Sequence, residues 1–167
     1  MKKVVKRLSI FAIILSMVFL VACGTSEKTQ GSTEKKTLLV GTDAAFAPFE
    51  FMDKGEIVGF DIDLLAAIMK EAGYEYQVNN IGWDPLFASL QGKQIDLAIS
   101  GITINDERKE SYDFSIPYFE ATHMMVFKEG TAISSANDLI GKKIGVQNGT
   151  TGQFAAEKIV GVNDSSI

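Results

Sequence analysis

Ser100, Thr103 and Arg108 fall within nine residues of one another in the stretch SGITINDERK (100–109). Two hydroxyls and a guanidinium at this spacing could gather around a small anion. The arginine fork makes two parallel charge-assisted bonds to a carboxylate, while hydroxyls and free backbone N–H groups complete its shell. An ordinary loop followed by a solvated, salt-bridging helix face would use the same residues, and the spacing alone leaves both readings open.

The elements around this stretch decide where it sits. IDLAIS (95–100) is strand-like, so the hydroxyls follow the carboxyl end of a strand, where ligands bind in open α/β sheets. Asn105 is placed to cap a short helix over DERKES, with Asp106 and Glu107 in its first turn. Upstream, TLLVG (37–41) reads as a buried strand and FEFMDKGEIVGF (49–60) as a hairpin turning at Asp53, Lys54 and Gly55. DIDLLAAIMKEAG (61–73) reads as a helix with Asp61 as N-cap, an apolar face through Ile62, Leu65, Ile68 and Met69, and Gly73 as its stop. YEYQVN (74–79) is the next strand, and Asp84 and Pro85 are expected to cap and open a helix that ends at Gly92. THMMVFKE (122–129) reads as a further strand, as does the run from Lys142 to Val146. Strands alternating with helices predict a parallel α/β sheet covered on both faces.

The N-terminus carries a different signal. MKKVVKR is followed by a 15-residue apolar run, LSIFAIILSMVFLVA, short for a spanning helix and suited to a secretory leader over 1–22. LVAC (20–23) resembles a bacterial lipobox, which implies lipidation of Cys23; a buried core cysteine or an uncleaved anchor is the plainer reading. Residues 23–36, polar and rich in Gly, Ser and Thr, read as a flexible tether to a domain that starts at residue 37. Cys23 is the one cysteine of the chain, so no internal disulfide can form. From Cys23 onward there are 12 basic and 21 acidic residues, a net charge of −9, which offers no electrostatic footprint for nucleic acid.

Three motifs appear in order: GFDIDLLAAI (59–68), ISGITINDERKESYDFSIPYF (99–119) and GKKIGVQNGTTGQ (141–153). Together they resemble the bacterial extracellular solute-binding proteins of family 3, receptors for polar amino acids that feed ABC importers. Within that family, NIGWDPLFASLQ (80–91) and PYFEAT (117–122) are similar to binders of arginine and related basic amino acids. The resemblance implies an α/β, periplasmic-binding-protein-like (type II) clamp in which two lobes hold one amino acid at a hinge. The first lobe would span 37–127, and 128–167 would be the hinge and the beginning of a second lobe that this chain leaves incomplete. By the same resemblance Arg108 would hold the ligand's α-carboxylate, helped by Thr103 and Thr151, while Ser100 and the Gly101 carbonyl take the α-ammonium. Phe46 and Trp83 would flank the ligand side chain, a cationic tip between such rings gaining cation–π attraction. Asp43 would meet that tip, and Gln147 would add a polar contact from the second lobe. Core packing is the plainer reading for the two aromatics, and a loop or capping role for Asp43.

Other residues invite chemistry with less support. Asp61 and Asp63 are explained by an N-cap and a first-turn charge, and His123 has no second histidine or cysteine at metal-ligand spacing. The expected function is a lipid-anchored receptor on the extracytoplasmic face of a Gram-positive cell membrane. It would bind a free amino acid, pass it to an ABC permease and ATPase complex, and need no cofactor, metal or catalytic residue. A dehydratase-type enzyme on the same fold and the ligand-sensing module of a signalling receptor are the alternatives.

Overall fold

The computed structural model describes residues 36–167. The leader (1–22), Cys23 and all of the tether except Lys36 lie outside the described residues. In chain order the elements are β1 (Leu38–Thr42), β2 (Ala45–Phe46), β3 (Glu50–Asp53), β4 (Glu56–Val58), α1 (Phe60–Ala72), β5 (Tyr76–Asn80), α2 (Trp83–Gln91), β6 (Leu97–Ala98), α3 (Asp106–Lys109), a 3-10 turn (Ala136–Leu139) and α4 (Thr151–Val160).

β1 is the middle strand of a parallel sheet ordered β5-β1-β6, with Leu38 opposite Tyr76 and Val40 opposite Leu97. Parallel neighbours need crossovers, and α1 and α2 supply them. Alternate residues of a strand face opposite sides of its sheet. Val40 packs with Leu65 and Met69 of α1 and with Ile99, whereas a Cβ on Gly41 would lie 2.8 Å from Leu86 Cδ1 of α2 and 2.7 Å from Ile95 Cδ1. The sheet is therefore covered on both faces, as the alternation of elements predicts. Val40, Leu65 and Leu86 are almost wholly shielded, and truncating such a side chain to alanine costs about 2–5 kcal/mol.

The expected hairpin forms as β3 and β4, and β2 extends it to a three-stranded antiparallel sheet with Phe46 opposite Glu50. Gly73 closes α1 in the left-handed conformation, again as expected.

Two of the three predicted N-caps, Asp61 and Asp84, differ from the structure. α1 begins two residues earlier, with Gly59 instead of Asp61 at the cap position and no side-chain cap. The first helical N–H groups are satisfied by a neighbouring loop instead: Phe60 N donates to Pro48 O at 3.0 Å and Asp61 N to Phe49 O at 2.9 Å. With its capping role taken by backbone carbonyls, Asp61 turns inward and is buried. α2 likewise starts at Trp83 behind Gly82, which places Asp84 in the first turn rather than at the cap. Of the predicted apolar face of α1, Leu65 and Met69 are buried but Ile68 is half exposed.

Two predicted strands are not formed. Residues 122–129 and 142–146 have no ladder, because no neighbouring strand is placed beside either run among the described residues; Val126 is 96% exposed. The segment before them is held by side chains. Phe119 packs edge-on against Phe49 at 4.9 Å between ring centroids, and the Tyr118 hydroxyl donates to Asp61 Oδ2 at 2.9 Å.

Candidate ligand-binding site

The sheet order places the loops after β1 and β6 side by side. Past the end of β1, two side chains from the flanking strands pin the turn: Asp43 N donates to Ser100 Oγ at 3.0 Å and Ala44 N to Asn80 Oδ1 at 3.0 Å. The Asp43 carboxylate is left facing outward, half buried, and Oδ2 accepts from Gln147 Nε2 at 3.0 Å. Asp43 forms no ion pair among the described residues, so its charge is available to a cation.

The opening stretch, SGITINDERK, is a loop and a one-turn helix whose arginine is turned inward. Asn105 caps α3 as expected, its Oδ1 accepting from Arg108 N at 2.8 Å. Arg108 is buried rather than solvated. Nη1 donates to Thr103 O at 2.8 Å and Nη2 to Gly149 O at 3.2 Å, so the guanidinium joins two segments 41 residues apart. Its Cζ lies 5.5 Å from the Trp83 ring centroid and 5.1 Å from that of Phe87, within cation–π range of both. Burial lowers the Arg108 pKa from its ordinary value and Glu107 opposes the shift; a guanidinium keeps its charge under such conditions. Two of its five N–H donors are used by the two carbonyls, leaving others for an anion.

The turn before α4 comes to the same place. Thr103 Oγ1 and Thr151 Oγ1 are 3.4 Å apart. Thr150 caps the helix by accepting from Gln153 N, and Gln153 Oε1 in return accepts from Gly149 N at 2.7 Å. Among the described residues the N–H groups of Thr151 and Gly152 have no partner, and free amides at a helix start favour an anion.

Each residue singled out from the sequence can now be placed. Arg108, Thr103 and Thr151 belong to one cluster, and Asp43 bonds to Gln147 in another. Ser100 is buried, and its hydroxyl already accepts from Asp43 and donates to Glu50 Oε1 at 2.9 Å, so it braces the corner from behind. Gly101 has φ of 53° and donates its N–H to Asp61 Oδ2 at 2.8 Å; a Cβ there would meet the Phe46 ring at 3.1 Å. Phe46 is exposed and stacks on Phe49, while Trp83 packs edge-on against Phe87. No ring contact joins Phe46 to Trp83 among the described residues. A surface hollow of about 650 Å³ bordered by Ile104, Lys109, Tyr112 and Pro117 shares none of these side chains.

Sequence reasoning did not single out Glu50, Phe87 or the inward turn of Asp61. Phe87 was within reach, since it stands one helical turn beyond Trp83 and shares its face. Glu50 has no local signal, because its partners come from distant parts of the chain.

The sequence profile of the bacterial extracellular solute-binding proteins, family 3, matches residues 38–159. The chain belongs to that family. Among its relatives, the arginine-binding extracellular protein ArtP of Bacillus subtilis is 45% identical over 131 residues, covering 78% of this chain and 51% of ArtP. A probable histidine-binding protein of Neisseria gonorrhoeae is 38% identical over 161 residues, covering 93% of this chain and 60% of that protein. Among solved structures, the arginine-, lysine-, histidine-binding protein ArtJ of Geobacillus stearothermophilus superposes with a TM-score of 0.75 at 66% identity, covering 77% of this chain and 55% of ArtJ. This family 3 chain thus spans about half the length of ArtP and has, over the matched part, the α/β fold of the periplasmic binding proteins.

Proposed function

We propose that this family 3 protein captures a basic amino acid outside the cell and presents it to an ABC permease. The observation that carries the reading is the polarity of the site. Arg108, the Thr103 and Thr151 hydroxyls and two open amides stand at one end, and at the other the Asp43 carboxylate forms no ion pair among the described residues. An α-amino acid with a cationic tail matches both ends, its carboxylate on Arg108 and its tip toward Asp43. In this reading the exposed Phe46 ring and Trp83 line the stem, and the Ser100–Gly101 corner receives the α-ammonium. The names of ArtP and ArtJ, which state binding of arginine or of arginine, lysine and histidine, support the same ligand class. In this reading residues 37–127 are the first lobe and 128–167 the hinge and the start of the second.

The test is titration of the isotope-labelled chain with millimolar L-arginine, L-lysine and L-glutamate, followed by NMR. Arginine and lysine are expected to shift the amides of Gly149, Thr151 and Gly152 and the Trp83 indole, and glutamate to shift them far less. Equal shifts from all three, or none from any, would refute the reading. The lipid anchor is tested separately: Cys23→Ala is expected to move the protein from the membrane to the soluble fraction and to abolish lipid labelling. Unchanged labelling would remove the anchor from the proposal.

A further inference from the structure

Behind the Ser100–Gly101 corner lie two carboxyls, Glu50 of β3 and Asp61 of α1, both fully shielded from solvent. Each is satisfied at one oxygen. Glu50 Oε1 accepts the Ser100 hydroxyl, and Asp61 Oδ2 accepts both the Gly101 N–H and the Tyr118 hydroxyl. The remaining oxygens, Glu50 Oε2 and Asp61 Oδ1, receive no donor from any described group although both are buried. The two carboxyls bond to adjacent residues, Ser100 and Gly101, which brings them to one corner, and a hydrogen bond between carboxyls requires a proton.

The surroundings offer no other remedy. Asp43 adds negative charge from the loop after β1, Tyr118 contributes a neutral phenol, and neither acid forms an ion pair with a lysine or arginine among the described residues. Two charged carboxylates side by side in such a place cannot both be stable, and one proton held between them removes the repulsion and satisfies both orphaned oxygens at once.

We propose that Glu50 and Asp61 share one proton, carried on Glu50 Oε2 and donated to Asp61 Oδ1, and that this protonated pair is the positioning device for the Ser100–Gly101 corner. Through Ser100 it also holds the Asp43 turn, since the same hydroxyl accepts from Asp43 N. Loss of the proton sets two like charges against each other, and the bonds to Gly101 and Ser100 are the ones that must shift. Burial foremost, with Asp61 and Asp43 adding to it against the Ser100 hydroxyl, raises Glu50 to about 8. Shielding from water and then the Asp61 carboxylate raise Tyr118 as well, so its phenol stays a donor across this range.

The consequence for a ligand rests on the amino-acid reading above, but the shared proton does not, and its test needs no ligand. The full chain is labelled with 13C at the glutamate carboxyls and 15N in the backbone, and titrated from pH 5 to 10. One glutamate signal, linked through its bonds to Glu50 and absent in Glu50→Gln, is expected to titrate with a midpoint near 8, and the Gly101 amide to move with the same midpoint. In Glu50→Gln the side-chain amide donates the same bond through an N–H that does not titrate, so the Gly101 amide is expected to stay still. A Glu50 signal that titrates in the ordinary carboxylate range, or a Gly101 amide that ignores the Glu50 midpoint, would overturn the proposal. So would a Gly101 amide moving alike in both proteins. If Glu50→Gln does not fold, the two wild-type titrations decide alone.

Stability gives an independent reading. The folded pKa of Glu50 lies above the ordinary 4.5, so its proton's contribution is full below about 4.5, declines as pH rises, and is gone above about 8. The stability of Glu50→Gln relative to wild type is therefore expected to rise from pH 5 to 8 and to level off beyond. A difference that is constant with pH would count against a shared proton.

Discussion

Gln147 Nε2 donates to Asp43 Oδ2 at 3.0 Å across 104 residues of chain. The contact closes one end of the candidate site with a neutral donor, leaving the carboxylate's charge uncompensated, which suits a cationic partner. A hydrogen bond to a charged group contributes about 1.5–3 kcal/mol.

Asp43→Asn is accordingly expected to reduce the preference for L-arginine over L-glutamine by about tenfold or more, at roughly 1.4 kcal/mol per tenfold. NMR titration of wild type and variant with both amino acids measures it. An unchanged ratio would leave Asp43 a loop residue with no part in selection.

Arg108 has a structural role apart from the ligand role proposed for it. Its two carbonyl bonds and its two aromatic neighbours join α2, α3 and the turn before α4. Lysine lacks the planar fork and satisfies one carbonyl at best. Arg108→Lys is expected to lower unfolding stability by about 1–2 kcal/mol without any ligand, the value of one lost hydrogen bond plus weaker stacking. Urea unfolding is the measurement, and a midpoint equal to wild type would show that these bonds contribute nothing.

Gly59 combines two constraints. Its φ is 129°, and a Cβ there would fall 2.3 Å from Phe49 O, the carbonyl that receives Asp61 N. Gly59→Ala must push that backbone away from the start of α1, and a loss of about 3 kcal/mol or more is expected. Gly145→Ala is the control: nothing lies within 4 Å of the added Cβ, so its effect should be small. Thermal unfolding of the two variants compares them directly.

Asp138 lies inside the 3-10 turn and completes a capping box with its N-cap, Ser135. Its Oδ2 accepts from the N–H groups and the hydroxyls of Ser134 and Ser135, which lower its pKa to about 2. The folded value lies below the ordinary 3.8, so the contribution is full above about 3.8 and is lost as pH falls toward 2. The Ser134 and Ser135 amide signals are expected to move with a midpoint near 2 in wild type and to show no such step in Asp138→Ala.

Part of the local structure around the candidate site was legible in the sequence. SGITINDERK carries the Asn105 cap that survives in the structure, and from that turn Arg108 reaches Gly149 O, whereas the Thr150 cap was not read from NGTTGQ. The errors arose where a local signal had a distant competitor. Asp61 and Asp84 have the chemistry of N-caps, but glycines precede both helices, and at α1 carbonyls of a neighbouring loop satisfy the first amides. Residues 122–129 have strand composition, yet a strand needs a neighbour, and composition does not reveal whether one exists. Glu50 was out of reach for the same reason, since its burial depends on a serine 50 residues away.

The central place of β1 has a consequence for biosynthesis. Its partners begin at Tyr76 and Leu97, so the first strand to leave the ribosome has no ladder on either side until long after it is made. At about 5–20 residues per second, the wait for β5 alone is on the order of several seconds. During that interval Leu38–Thr42 presents both edges and both faces, the condition under which a nascent chain pairs with the wrong neighbour. α1 is complete before β5 appears, so it can cover one face first, while the other face and both edges wait for α2 and the later strands.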